Sequence, residues 1–424
     1  MRFHLVETDR FKMSRLSLNF ILPADPYRSP LTRLTLAVMM RGCRKYPTVV
    51  DINKRLDDLY GATVTWRATA VGERHIFKIS CEMLSNQYRL AGDRESVVRG
   101  VCDAVLDILL DPLLDGEGLL SAANFESEKS LAIDAIRAKI NDQKAYAAEQ
   151  CRDLMLADSP AGISVDGTEE QIEGFTLREI TENMAYFLKN AVLECYYVGS
   201  DDVTGVAMEI ANRLAPLGRS NIALCGREKA LERAAGTPVR EKTEKMRVSQ
   251  GRLNLGYRCG VVMGDPDYYP MCLFNEMFGG SSVAKLFLNV REKRSLCYYC
   301  YSSYHSATGC LMVGCGIKPE NRDLARKEID KQLRAMKKGK FTEEELETAK
   351  RTVISGLRQI SDSPSAMEAF AFRRVLSATP ESVEDCVAKV MAVTAEEVVA
   401  AANRVMPDTV YFLSGDGRED DCDE

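Results

Sequence analysis

Histidine is nearly missing from this chain of 424 residues, which carries only His4, His75 and His305. They lie too far apart in sequence for any local His-based metal or catalytic motif. No charge of either sign dominates, since 62 acidic residues against 56 basic ones leave a net charge of −6. That balance supplies no attraction to nucleic acid or to an anionic membrane, and neither is expected as a partner. Proline and glycine are sparse, at 14 and 28, beside 28% charged and 46% hydrophobic residues. Disorder, collagen and low complexity are thereby excluded as global descriptions. A long apolar run is missing too. The longest charge-free stretch, residues 295–317, is interrupted by Ser302-Ser303-Tyr304-His305-Ser306-Ala307-Thr308-Gly309 and reads as a soluble β-hairpin. The first residues, Met1-Arg2-Phe3-His4-Leu5-Val6-Glu7, place charges where a secretion signal needs an apolar segment, so none is expected. Fourteen cysteines without such a signal are expected as reduced, mostly buried thiols of a cytoplasmic protein.

Alternation predicts strands over 15–22, 63–70, 75–81 and 193–198, and helical spacing predicts helices over 29–41, 50–60, 96–110, 124–156, 176–190 and 201–214. The second half repeats the order, with a strand at 252–263, a helix over 269–294, a hairpin at 296–317, helices over 322–338, 342–359 and 382–405, and a strand at 409–413. Phe125-Glu126-Ser127-Glu128-Lys129 sits over Leu346-Glu347-Thr348-Ala349-Lys350 at an offset of 221, and Thr176-Leu177-Arg178-Glu179 over Thr394-Ala395-Glu396-Glu397 at 218. Near-constant offsets predict two homologous α+β domains, at 1–225 and 248–424, joined by a charge-dense linker at 226–247. The acidic end, residues 419–424, is expected to be solvated.

Phe278-Gly279-Gly280-Ser281-Ser282 lacks the Gly-Lys-Ser/Thr ending of a phosphate-binding loop and the spacing of a dinucleotide fingerprint, and reads as a break between helices. With its continuation, Leu286-Phe287, Arg291-Glu292-Lys293 and Leu296-Cys297-Tyr298, the segment resembles the C-terminal domain of the insulinase-like, pitrilysin-type peptidases. That resemblance implies a duplicated metallopeptidase fold closing as a clamshell. It also implies that Arg291 and Tyr298 match the family's substrate-contacting pair. A guanidinium near a peptide carbonyl binds it or stabilises a developing oxyanion.

The family's zinc site is different. Its His-x-x-Glu-His, counted back from Arg41-Gly42 and Leu59-Tyr60-Gly61-Ala62, falls on Arg33, Leu36 and Ala37, and its later Glu ligand falls on Ala135. Two imidazoles and a carboxylate are needed to hold zinc and activate its water, and these side chains offer neither. No metal and no other cofactor is therefore expected, and Glu128 is given a structural role. In Cys297-x-x-Cys300, with His305, Cys310 and Cys315 nearby, regular strand alternation would put cysteines three or five apart on opposite faces and prevent chelation.

The resemblance implies a non-catalytic chain that supplies Arg291 and Tyr298 to a zinc-binding partner of the same family and binds peptide in trans. Val290-Arg291-Glu292-Lys293 and Ser295-Leu296-Cys297-Tyr298-Tyr299 are similar to the bacterial subgroup called elongation factor P 5-aminopentanol modification-associated proteins. A scaffold without a peptidase partner, and a self-sufficient enzyme with a cysteine nucleophile beside a histidine, are the alternatives.

Overall fold

The computed structural model describes residues 1–220, 229–231, 236–248 and 250–415. Residues 226–228 and 232–235 of the expected linker, and the acidic end 419–424, lie outside them. In chain order the first half runs β1 (Arg2–Glu7), β2 (Met13–Pro23), α1 (Arg28–Met39), α2 (Val49–Asp58), β3 (Thr63–Val71), β4 (Arg74–Leu84), α3 (Val97–Leu110), α4 (Ala122–Ala138), α5 (Gln143–Leu156), α6 (Glu169–Gly174), α7 (Leu177–Asn190), β5 (Val192–Gly199) and α8 (Thr204–Leu214). The second half follows with β6 (Arg240–Met246), β7 (Gly251–Arg258), α9 (Tyr268–Asn275), β8 (Cys297–His305), β9 (Cys310–Ile317), α10 (Arg322–Lys337), α11 (Glu343–Arg358), α12 (Pro364–Ser377), α13 (Val383–Ala392), α14 (Ala395–Arg404) and β10 (Met406–Gly415).

Two five-stranded sheets have the orders β1-β5-β2-β4-β3 and β6-β10-β7-β9-β8, one topology used twice. In each, the first pair is parallel and the remaining pairs are antiparallel. This identity bears out the duplicated α+β architecture. The edge strands β1 and β6 went unassigned in the sequence because RFHLVE and REKTEKM are rich in charge. Charge along an edge discourages pairing with other chains, and it also hides the strand from a hydrophobic pattern. Residues 240–246, expected as linker, are therefore a strand, because an edge position lets their charged side chains stay solvated.

The chain forms two compact units, residues 1–138, 163–225 and 360–373 in one and 139–162, 226–359 and 374–424 in the other. These depart from the contiguous domains expected at 1–225 and 248–424. The expected helix 124–156 is broken at a 3-10 turn, Lys139–Asn141, and Asp142 restarts it by accepting the Ala145 N–H at 3.0 Å. The resulting α5 buries Ala147, Cys151 and Met155 at helical spacing with Met312, Tyr411 and Leu413 of the second sheet. At the same offset of 221, the segment around α12 groups with the first unit. The exchanged segments thus each cover a sheet, α5 with an apolar stripe and α12 through Glu368.

The other face of the first sheet carries Leu16, Leu18, Phe20, Phe77, Ile79 and Cys81 into the main core with α2, α3, α7 and α8. Among the described residues no helix is long and apolar enough to cross a membrane.

Candidate functional site

The positions matched to a zinc motif lie on α1, which leaves β2 through Tyr27 and packs on α4 and α7. Leu36 is 0% exposed in the main core and Ala37 is 5% exposed, so both have become packing residues. Arg33 instead pairs with Asp166 at 3.0 Å. On α4, Ala135 is exposed, and Glu128 forms an ion pair with Arg41 that ties α4 to the end of α1. Beyond Arg41 the backbone doubles back so tightly that a Cβ on Gly42 would lie 2.4 Å from the Pro47 carbonyl oxygen. None of the positions matched to the zinc motif holds an imidazole.

The histidines make no such site elsewhere. His4 bonds Glu194 at 2.7 Å and His75 bonds the Ile163 carbonyl at 3.0 Å. His305 stands across the β8–β9 ladder from Cys310, whose thiol is pushed up by burial and lies 3.6 Å from the Thr308 carbonyl. Burial holds both His75 and His305 below the ordinary imidazole value. In the second half α9 and α11 occupy the places of α1 and α4. The segment after α9 and the face of α11 border a cavity of about 250 Å³ lined by Glu276, Met277, Ala284, Thr342, Glu345 and Thr348.

Arg291 and Tyr298 sit where the backbone is least regular. The expected helix 269–294 ends as α9 at Asn275 and continues through two π-helical turns, Glu276–Gly280 and Phe287–Glu292. In the second, the Lys293 N–H reaches back to the Leu288 carbonyl at 3.0 Å. Ser295 then takes φ 50, uncommon for a residue with a Cβ, to turn the chain into β8. Arg291 projects from the π-turn with 41% of its side chain exposed, its guanidinium 4.6 Å from the Phe287 ring centroid and its Nε 3.7 Å from Glu292. Such turns are frequent at functional sites.

At the start of β8 the ladder pairs Cys297 with Ile317 and then Tyr299 with Gly316, leaving Tyr298 as the extra residue of a bulge. A bulge re-aims a side chain, and Tyr298 is 59% exposed. Next along, Tyr299 lies flat across β9, where a Cβ on Gly316 would come within 2.4 Å of its ring. Lys144 of α5 stands over both the Tyr299 and Tyr301 rings, 4.7 and 4.8 Å from their centroids.

The bulge also corrects the expectation for the cysteines. Adding one residue brings Cys297 onto the face of Cys300, which faces Cys315 directly across the ladder. Cys297, Cys300 and Cys315 therefore share one face of the hairpin. Strand alternation alone could not show this, because it presumes an unbroken ladder. Among the described residues no group of three or more His, Cys, Asp or Glu is arranged to hold a metal ion.

The sequence also gave no sign of a buried charge cluster under α12. Glu368 is 0% exposed and accepts hydrogen bonds from Arg15 Nε at 2.6 Å, Ser17 Oγ at 2.6 Å and Lys78 Nζ. Burial alone would raise its carboxyl, but Lys78 and the Ser17 and Arg15 hydrogen bonds outweigh that and hold it below the usual range. With its carboxylate oxygens bonded to Arg15, Ser17 and Lys78, this cluster joins α12 to the sheet.

Residues 174–353 match the family model described as the peptidase M16 inactive domain. The chain is 28% identical over 412 residues to the probable inactive metalloprotease YmfF of Bacillus subtilis, covering 97% of this chain and 95% of that one. It is 27% identical over 167 residues to the uncharacterized zinc protease YmxG of the same bacterium, covering 38% and 40%. A conserved protein from Enterococcus faecalis V583 has the same fold, with a TM-score of 0.89 at 24% identity, covering 99% of this chain and 97% of that one. The chain is thus similar to the M16, insulinase-like peptidases and to a relative described as probably inactive among them. With three widely separated histidines it contains no His-x-x-Glu-His and cannot build that zinc site on its own.

Proposed function

We propose that this chain is the non-catalytic, Arg/Tyr-bearing subunit of a heterodimeric zinc peptidase, binding peptide for a partner that carries the zinc motif. The observation that carries the reading is a contrast in exposure. Leu36 and Ala37 are buried, whereas Arg291 and Tyr298 project outward from a π-turn and a bulge. An Arg kept clear of strong pairing retains donors for a peptide carbonyl. That one bacterium holds both a probable inactive relative and a zinc protease relative supports a division of labour between two chains. Such a complex would work in the cytoplasm, where its fourteen cysteines would be kept reduced.

Co-expression with the zinc-motif homologue of its own organism tests this. The two should elute as one species of 1:1 mass that cleaves unstructured peptides, while neither chain does so alone. Failure to associate, with the zinc chain fully active by itself, would leave this chain a scaffold.

We further propose an association with elongation factor P modification, supported by the likeness of residues 290–299 alone. Deleting the gene should then change the intact mass of elongation factor P. An unchanged mass would remove the association.

A further inference from the structure

The three-thiol cluster has no part in the function proposed above. Its geometry is specific: a one-residue bulge puts Cys297 on the face of Cys300, and Cys300 stands directly across the ladder from Cys315. Cys300 and Cys315 are 3% and 1% exposed, whereas Cys297 is partly exposed. A small oxidant therefore reaches the cluster through Cys297. We propose that Cys297 is a redox modification site, oxidised by a hydroperoxide and then closed by Cys300 into a Cys297–Cys300 disulfide within β8.

The electrostatics agree with that order. Hydrogen bonds from Cys300 and Cys315 bring the Cys297 thiol down to about 4, outweighing burial, with the Arg291 guanidinium adding to the effect. Cys300 and Cys315 are held well above the ordinary thiol value. Burial pushes Cys81, Cys151 and Cys195 up to about 12.

In the first step the Cys297 thiolate attacks the peroxide. An S–O bond forms, the O–O bond breaks, and the departing oxygen takes a proton to leave as water or an alcohol, giving the sulfenic acid. In the second, the Cys300 sulfur attacks that sulfur. An S–S bond forms, the S–OH bond breaks, and hydroxide leaves as water with the Cys300 proton. The two sulfurs give up two electrons and the peroxide receives them; a dithiol reductant reverses the step by exchange. Tyr298 lies between the two cysteines, so the disulfide fixes the loop that presents it. This last consequence alone rests on reading Arg291 and Tyr298 as peptide contacts.

The test uses the isolated full chain, so its outcome is independent of any partner. After limiting hydrogen peroxide and alkylation of the remaining thiols, peptide mapping should show a Cys297–Cys300 link. Cys297 should react at least about 10-fold faster than Cys272, the other partly exposed cysteine among those described. Cys300→Ser should instead leave a sulfenic acid on Cys297 that dimedone captures, and Cys297→Ser should leave Cys300 and Cys315 reduced. Equal reactivity of Cys297 and Cys272 in the unaltered chain would overturn the proposal. So would a link from Cys297 to Cys315.

Discussion

In the first half of the molecule the segment after the second strand forms a regular helix, with Leu36 and Ala37, two of the positions matched to the zinc motif, buried. In the second half the segment after the equivalent strand runs through two π-turns and a bulge, and puts Arg291 and Tyr298 at the surface. Regular packing was gained in one place and forgone in the other. The π-turns still bury Phe278 and Val290, but the irregular backbone turns Arg291 and Tyr298 outward, and irregularity of this kind marks where function is to be sought. The exchanged helices differ in the same instructive way. Cys151 and Met155 of α5 meet their sheet with apolar contacts, whereas α12 meets its own through Glu368.

Rebuilding the lost motif should produce the largest effect. Arg33→His with Leu36→Glu and Ala37→His puts an unpaired carboxylate into the main core, costing about 4 kcal/mol or more. Chemical denaturation should show the loss, and elemental analysis should find no retained zinc, because Ala135 still offers no ligand. A folded triple variant holding one zinc per chain would erase the contrast between the halves.

Next comes Glu368→Gln, which leaves Lys78 and Arg15 buried without their carboxylate and should cost about 3–5 kcal/mol. Met155→Ala, the counterpart on α5, should cost about 2–5 kcal/mol through a cavity. Their pH responses should separate them. The folded Glu368 carboxyl lies below its ordinary range, so its stabilisation is complete above that range and is lost as pH falls through the lowered value. Denaturation midpoints of the Glu368→Gln and unaltered chains should therefore converge in acid, while the Met155→Ala difference persists. The smallest effect belongs to Tyr298→Ala, within about 0.5 kcal/mol for an exposed side chain away from the core. A larger loss would make the bulge a packing feature.

Much of the fold was legible because it rests on periodicity: the β8–β9 hairpin, the long helices and the repeat offsets all follow from apolar spacing. What escaped was where another force took over. Helix α12 buries Glu368 at an inward position, so no apolar stripe marks it. The helix expected over 382–405 divides at Thr394, whose side chain accepts the Glu397 N–H at 3.3 Å in a capping box. Of the candidate site, Arg291 and Tyr298 were identifiable by resemblance, but the bulge that exposes Tyr298 and gathers three thiols depends on the pairing of β8 with β9, which a single strand's sequence does not encode.

If Arg291 and Tyr298 complete a partner's active site, the peptidase activity of the reconstituted two-chain complex carrying Arg291→Ala will show it. Assembly should be intact and the melting temperature unchanged. Turnover should fall on the order of 10²–10³ if the guanidinium stabilises the oxyanion, or the Michaelis constant should rise at constant turnover if it only binds peptide. An assembled complex whose turnover and Michaelis constant both match those of the unaltered one would contradict it.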